Sequence, residues 1–189
     1  MSLNEALKIS YEYKTYCEFY DSFYPSQDYD SHHGQVIGYN DKCAVFETLG
    51  EFGDYMGYRW IRLNRLSFVL PYSNCAYSSK QLTKLRGIEF DHPVLKLGAD
   101  YLKSIIDYAI DTEQVCEIRL NNFEEDDSSL YGYIATHDGN NIGMRIIEED
   151  GYEADGIEEI DTDNIDLLVV GGLKLDCLGL LHDHYYDEE

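Results

Sequence analysis

Gly34-Gln35-Val36-Ile37-Gly38-Tyr39-Asn40-Asp41 and Gly132-Tyr133-Ile134-Ala135-Thr136-His137-Asp138-Gly139 are one pattern written twice in a chain of 189 residues. They stand 98 residues apart, and the match continues on both sides. Gly53 answers Gly151 at that spacing, each behind the matched pair Glu51 and Glu149. Past one inserted residue, Gly57 answers Gly156, Ile61 answers Ile160 and Leu66 answers Ile165, now 99 apart. Upstream, Cys17-Glu18-Phe19 answers Cys116-Glu117-Ile118, also 99 apart. A long period used once means two copies of one small domain, not a solenoid of many short repeats.

Local patterns give the contents of a copy. Ser2-Leu3-Asn4-Glu5 reads as a capping box, and Leu3, Ala6, Leu7, Ser10 and Tyr11 fall on one helical face behind it. A strand over 15–20 points Cys17 and Phe19 inward, and 21–33 reads as a polar loop. Strands over 36–39 and 43–49 join at Asn40-Asp41, whose counterpart Asp138-Gly139 is a hairpin signal. A glycine-containing turn over 51–57 leads to strands over 58–63 and 66–70, with Asn64-Arg65 between them and Pro71 as the stop. The second copy opens with a helix faced by Leu102, Ile105, Ile106 and Ala109. Its strands are expected over about 114–120, 131–136, 142–147, 156–160 and 165–170.

The expected fold class is therefore mainly β with short helices. Two tandem small barrels are expected, each an N-terminal helix plus five bent antiparallel strands closed on themselves. The expected division is a first barrel over 1–70 and a linker over 71–96 with a short helix near 79–85. A second, acidic barrel over 97–170 and a tail over 171–189 complete it.

Charge separates the two copies. The chain carries net charge -23, with 14 Lys+Arg against 37 Asp+Glu. Residues 1–94 hold 9 against 12 and residues 95–189 hold 5 against 25, so the second half alone carries -20. Such a domain repels phosphate backbones, whose binding needs cationic neutralisation. It is either a solvated acidic surface or one that meets a cationic partner. Composition excludes disorder: 44% of residues are hydrophobic, with 18 tyrosines. Five cysteines (17, 43, 75, 116, 177) form no short pairing motif, and Cys17 and Cys116 take equivalent strand positions as core residues. Reduced thiols and a cytoplasmic location are expected. Met1-Ser2-Leu3-Asn4-Glu5 lacks the pattern of a signal peptide, and no run reaches membrane-spanning length.

A helix followed by five bent strands, with Gly34-x-Val36-x-x-Tyr39-Asn40 and Ile61-Arg62-Leu63-Asn64-Arg65-Leu66, resembles the Sm-like (LSm) small-barrel family. The latter run is similar to the family's second motif, Ile-Arg-Gly-Asn-x-Ile. In the second copy, Gly132-x-Ile134-x-x-His137-Asp138 and residues 160–165 keep the pattern. Other SH3-like barrels share much of it. The resemblance implies binding of single-stranded uridine- or adenine-rich RNA within rings of barrels. The family's base pocket uses Asp and Asn on the first hairpin with Arg and Asn of the second motif. Here Asn40 and Ala44 take the first two places, while Arg62 and Asn64 remain. The second copy keeps Asp138 but has Ile142, Asp161 and Asp163 elsewhere. Any residual nucleic-acid site is thus Tyr39, Asn40, Arg62 and Asn64, and nucleic acid is not the expected main partner.

Arg59, Arg62 and Arg65 with Lys80, Lys84 and Arg86 form the basic concentration of the chain. They either contact phosphate or pair with the chain's many carboxylates. Sm-like barrels join through the edges of their last two strands. The expected interface sets Arg59, Arg62 and Arg65 against Glu158, Glu159, Asp161 and Asp163, within one chain or head-to-tail between chains. His182-Asp183-His184, with Cys177 upstream and Asp187-Glu188-Glu189 beyond, has metal-ligand chemistry but reads as a charged, frayed terminus. Glu148-Glu149-Asp150 and Glu158-Glu159 match no calcium-loop spacing. No catalytic constellation, cofactor or metal site is expected. The chain reads as a non-catalytic interaction or assembly module whose partner is itself or another protein, with weak single-stranded RNA binding through the first barrel as the alternative.

Overall fold

Ser2 opens the first helix in the manner its sequence calls for. Its hydroxyl accepts from the Glu5 amide at 3.3 Å, and the Glu5 carboxylate accepts from the Ser2 amide at 2.7 Å. Helix α1 (Leu3–Glu12) follows and buries Ala6, Leu7 and Ser10, while Tyr11 of the expected face stays exposed beside the Tyr39 ring. The computed structural model describes residues 1–22, 31–90, 92–121, 129–148 and 150–186. These fall into two units, Met1–His92 and Pro93–Glu189.

In the first unit α1 is followed by β1 (Tyr16–Asp21), β2 (Ser31–Tyr39), β3 (Cys43–Leu49) and β4 (Tyr55–Arg62). A 3-10 turn over Leu63–Arg65 leads to β5 (Leu66–Pro71), and α2 (Asn74–Leu85) ends the unit. The strands are antiparallel in the order β5-β1-β2-β3-β4. The expected polar loop over 21–33 is shorter than its sequence suggested. Asp21 ends β1, and Ser31, His32 and His33 belong to β2; the residues between 22 and 31 lie outside the described ones.

The connection from β4 to β5 constrains this sheet. Those strands stand at opposite ends of the order, yet three residues join them, a reach of at most about 14 Å. The sheet must therefore curl until its two ends come close. Gly34 makes room for the curl: a Cβ there would sit 2.6 Å from the Glu47 carbonyl oxygen. A register shift between Val36 and Gly38 adds bend to the same strand. The curl encloses Phe19, Val36, Phe46, Ile61 and Val69, with the Phe19 and Phe46 rings stacked at 3.9 Å. Cys17 joins this core, and burial pushes its thiol up to about 12. Closure goes no further than curling. Among the described residues β4 and β5 do not hydrogen-bond to each other, so the expected closed barrel is an open antiparallel sheet.

The second unit repeats this plan. It contains α3 (Tyr101–Thr112), β6 (Cys116–Leu120), β7 (Ser129–His137), β8 (Asn141–Ile146), β9 (Glu158–Asp161), a 3-10 turn (Thr162–Asn164), β10 (Ile165–Val170) and α4 (Leu173–Tyr186). Its order β10-β6-β7-β8-β9 is the same order, again open between its end strands. Gly132 repeats Gly34, with a would-be Cβ 1.9 Å from the Arg145 carbonyl oxygen. The bulge recurs between Ile134 and Thr136. Buried Ala6, Leu7 and Ser10 of α1 recur 99 residues on as Ile105, Ile106 and Ala109 of α3.

Both units end in a helix, which corrects the reading of 71–96 as a linker and of 171–189 as a tail. Helix α2 starts at Asn74, not near 79, and packs on the first unit; helix α4 occupies most of the supposed tail. The matched glycines Gly53 and Gly151 are the seats of these helices. At Gly53 (φ 83°) a Cβ would lie 2.5 Å from the Thr83 amide nitrogen and 2.7 Å from the Ser79 carbonyl oxygen. At Gly151 (φ 95°) it would lie 2.9 Å from the Leu181 Cβ and 3.2 Å from the His182 nitrogen. Helix α4 escapes a periodicity reading because its leucines face every way. Leu175 and Leu178 are buried, whereas Leu173, Leu180 and Leu181 are exposed. No described helix is long and apolar enough to cross a membrane.

These seats give a direct test. Gly53→Ala and Gly151→Ala each add a Cβ against helix backbone and place alanine at positive φ, so each should cost about 2–4 kcal/mol. Gly87→Ala, also at positive φ but with open space around it, should cost about 1 kcal/mol. Denaturant midpoints of the three variants check the ranking.

Candidate functional site

The residual nucleic-acid positions do converge. Tyr39 ends β2, Asn40 opens the turn, Arg62 ends β4 and Asn64 lies in the following 3-10 turn. Cys43 pairs with Arg62, and the Leu63 amide donates to the Lys42 carbonyl at 2.9 Å, which draws the two loops together. The convergence is already occupied by local structure. The Asn40 side-chain oxygen accepts from the Lys42 amide at 2.8 Å and the Cys43 amide at 3.0 Å. The Arg62 guanidinium lies 5.7 Å from the Trp60 ring centroid, and Tyr39 meets Tyr11 edge-on. Asn64 is exposed. In the second unit the Asp138 carboxylate accepts from the Asn141 amide at 2.9 Å, and Asp161 accepts from Asp163 at 2.9 Å. The same loop face therefore exists twice, edged by Lys42 and Arg62 in one unit and by Asp138, Asp161 and Asp163 in the other.

The arginines of the expected interface divide. Arg59 turns inward: its guanidinium donates to the Asp21 carboxylate at 3.0 Å and lies 2.8 Å from the His32 ring nitrogen. The Asp21 side chain is only 3% exposed, so this pair holds a carboxylate inside the sheet's end. Arg86 pairs with Asp54 at 2.9 Å, and Lys80 stands over the Tyr16 ring at 4.5 Å. For these three, pairing within the unit is the outcome. Glu158, Glu159 and Asp161 on β9, with Asp163 after it, are all exposed.

Two contacts absent from the sequence reading join helices to sheets. His33 lies 2.8 Å from the Ser79 hydroxyl, which also donates to the Glu51 carbonyl at 3.3 Å. Nearby Glu18 accepts from Ser73 at 2.7 Å, from Ser31 at 3.0 Å and from Tyr20. Burial alone would raise the Glu18 carboxyl, but these hydroxyl donors outweigh it and hold it below its ordinary value. A serine beside a histidine and a carboxylate has the composition of a hydrolytic triad. Ser79 is 1% exposed, however, so no substrate reaches it, and the contact fastens α2 to the sheet.

On the second unit the corresponding fastening is His182, which lies 3.1 Å from the Glu153 carboxylate and 3.4 Å from that of Asp183. This replaces the frayed terminus read from the sequence; Asp187, Glu188 and Glu189 lie outside the described residues. Beside His182 is a cavity of about 440 Å³ lined by Ala109, Ile110, Glu113, Tyr133, Ile134, Ala135, Arg145, His182 and Asp183. Arg145 reaches the same Glu153 oxygen at 3.5 Å, and its guanidinium stands 5.2 Å from the Tyr133 ring centroid. His182 meets that ring edge-on at 5.5 Å. Burial raises the Tyr133 phenol above its ordinary value; Asp183, Glu153 and Glu113 act in the same direction and Arg145 against. The hydroxyl thus stays protonated across the neutral range. Among the described residues no group of three or more His, Cys, Asp or Glu is placed to hold a metal ion.

No known protein family, curated protein or solved structure matches the chain.

The inward arginine yields an expectation that an interface arginine would not. Arg59→Met leaves the Asp21 carboxylate without its guanidinium and should cost about 3 kcal/mol. The double variant Asp21→Asn/Arg59→Met should cost less than the sum of the single changes. A double-mutant cycle by chemical denaturation measures this coupling.

Proposed function

We propose that the chain is a non-catalytic interaction module built from two degenerate Sm-like units, whose partner is a second copy or another protein. The observation that carries this reading is the repeated plan itself. In each unit a helix precedes five antiparallel strands, the fifth lies beside the first, and a 3-10 turn links the fourth to the fifth. That is the plan the Sm-like resemblance implies, and the resemblance also implies joining to other chains through the exposed edges of the last two strands. The exposed carboxylates of β9 suit a cationic surface on the partner, with Arg62 and Arg65 of a second copy as one source. Arg59 is not part of that source, since it is paired with Asp21. The five cysteines, none of them in a disulfide, fit a cytoplasmic protein.

Weak single-stranded RNA binding through the first unit is the second reading, favoured by Arg62 and exposed Asn64 on one loop face. It ranks lower because Asn40 spends its acceptor on its own turn and Ala44 cannot read a base. Two measurements on the full chain separate the readings. The module reading expects oligouridine affinity no tighter than about 10 µM near ~0.15 M salt. It also expects a mass in light scattering above that of a monomer, or a bound protein partner, weakened by Arg62→Glu/Arg65→Glu. Nanomolar oligouridine binding that disappears in Arg62→Ala would move the function to RNA.

A further inference from the structure

We propose that the cavity of the second unit binds a small organic cation, a primary ammonium on an aliphatic stem. The stem would lie on Ala109, Ile110 and Ile134, with the charge among Glu113, Asp183 and the Tyr133 ring. The cavity's volume, about 440 Å³, lies in the range of small-molecule sites and far exceeds what one metal ion fills. Its lining joins four apolar residues, Ala109, Ile110, Ile134 and Ala135, to five polar or charged ones, so it is more polar than most small-molecule sites and suits a charged ligand with a short apolar stem.

The sign of the ligand follows from where the charges are spent. Arg145 and His182 both address one oxygen of Glu153, so the cationic groups of the cavity share a carboxylate of their own. Glu113 and Asp183 add negative charge to the lining beyond Glu153; Asp183, 3.4 Å from the His182 ring nitrogen, has a side chain 63% exposed and stands at the mouth. Glu113 also caps the C-terminal end of α3. Helix carbonyl ends carry partial negative charge, which favours a cation there. The Tyr133 ring already holds a guanidinium 5.2 Å from its centroid, so this aromatic surface is a seat for positive charge. An anion entering the cavity would meet the Glu113 and Asp183 carboxylates and the C-terminal end of α3, within a chain half carrying net -20. A neutral donor could hydrogen-bond to these carboxylates but would gain no charge attraction from them.

Titration calorimetry on the full chain with n-pentylammonium, 1-pentanol and pentanoate tests the proposal. Pentylammonium should bind saturably, weaken as salt rises, and exceed both isosteres by about tenfold. Glu113→Gln and Asp183→Asn, both at exposed positions, should each weaken it about threefold, and together about tenfold. Ala135→Leu, which fills the cavity from an exposed position, should abolish binding while leaving the denaturation midpoint near that of the parent. A capped lysine tripeptide run in parallel separates the two sources of the group. Tighter binding of the free amine assigns a metabolite-like ligand, and tighter binding of the peptide assigns a partner's lysine side chain. Equal binding of pentanol and pentylammonium overturns the proposal, as does undiminished binding by Ala135→Leu or by the double carboxylate variant. Absence of saturable binding at millimolar pentylammonium overturns it equally. None of these outcomes bears on chain mass or oligouridine affinity, so assembly stands or falls separately.

Discussion

Each unit depends on a three-residue link between strands that stand at opposite ends of its sheet. Leu63–Arg65 in one unit and Thr162–Asn164 in the other cannot stretch across a flat five-stranded sheet, so the sheet must curl. Curling demands a place where backbone approaches backbone, which is why Gly34 and Gly132 lack a Cβ. It also demands a core that fits a tight bend, which the stacked Phe19 and Phe46 supply in the first unit and Ile118, Ile142 and Met144 in the second. Hydrogen bonding does not complete the ring, and the terminal helix of each unit supplies further cover.

Those helices show how one scaffold accepts different chemistry. Gly53 and Gly151 give α2 and α4 equivalent backbone seats, but the polar fastenings differ. Ser79 meets His33 beneath α2, where the contact is sealed from solvent. His182 meets Glu153 beneath α4, and there a cavity opens beside it. The difference is one of side-chain volume and charge on a shared backbone. It leaves the His33–Ser79 contact sealed beneath α2 in the first unit and His182 beside a cavity in the second.

Charge follows the same division. In the first unit Arg59 neutralises a buried carboxylate and Arg86 binds a turn, so much of its positive charge is structural. In the second unit the carboxylates of β9 are exposed, and those of Glu113 and Asp183 share the cavity lining with Arg145 and His182. Repulsion among the carboxylates costs stability, and a cationic ligand or partner would relieve it.

The sequence by itself determined the repeat, and with it much of the fold. Matched glycines, Cys17 with Cys116, the capping box at Ser2 and the hairpin turns at Asn40 and Asp138 are local or periodic features, each written in adjacent residues. Both N-terminal helices and all ten strands are legible on that basis, to within a few residues at their ends. Tertiary structure decided what periodicity does not encode. Helix α4 has no one-sided apolar stripe, so only its packing on Gly151 and Glu153 reveals it. Arg59 looks like its neighbours Arg62 and Arg65 in the sequence, and only the placement of Asp21 against it, 38 residues away, turns it inward. The cavity is likewise assembled from α3, β7, β8 and α4, segments that meet only after folding. The run His182-Asp183-His184, read from the sequence as a charged terminus, gave no sign of it, because a site shared among distant segments leaves no spacing to read.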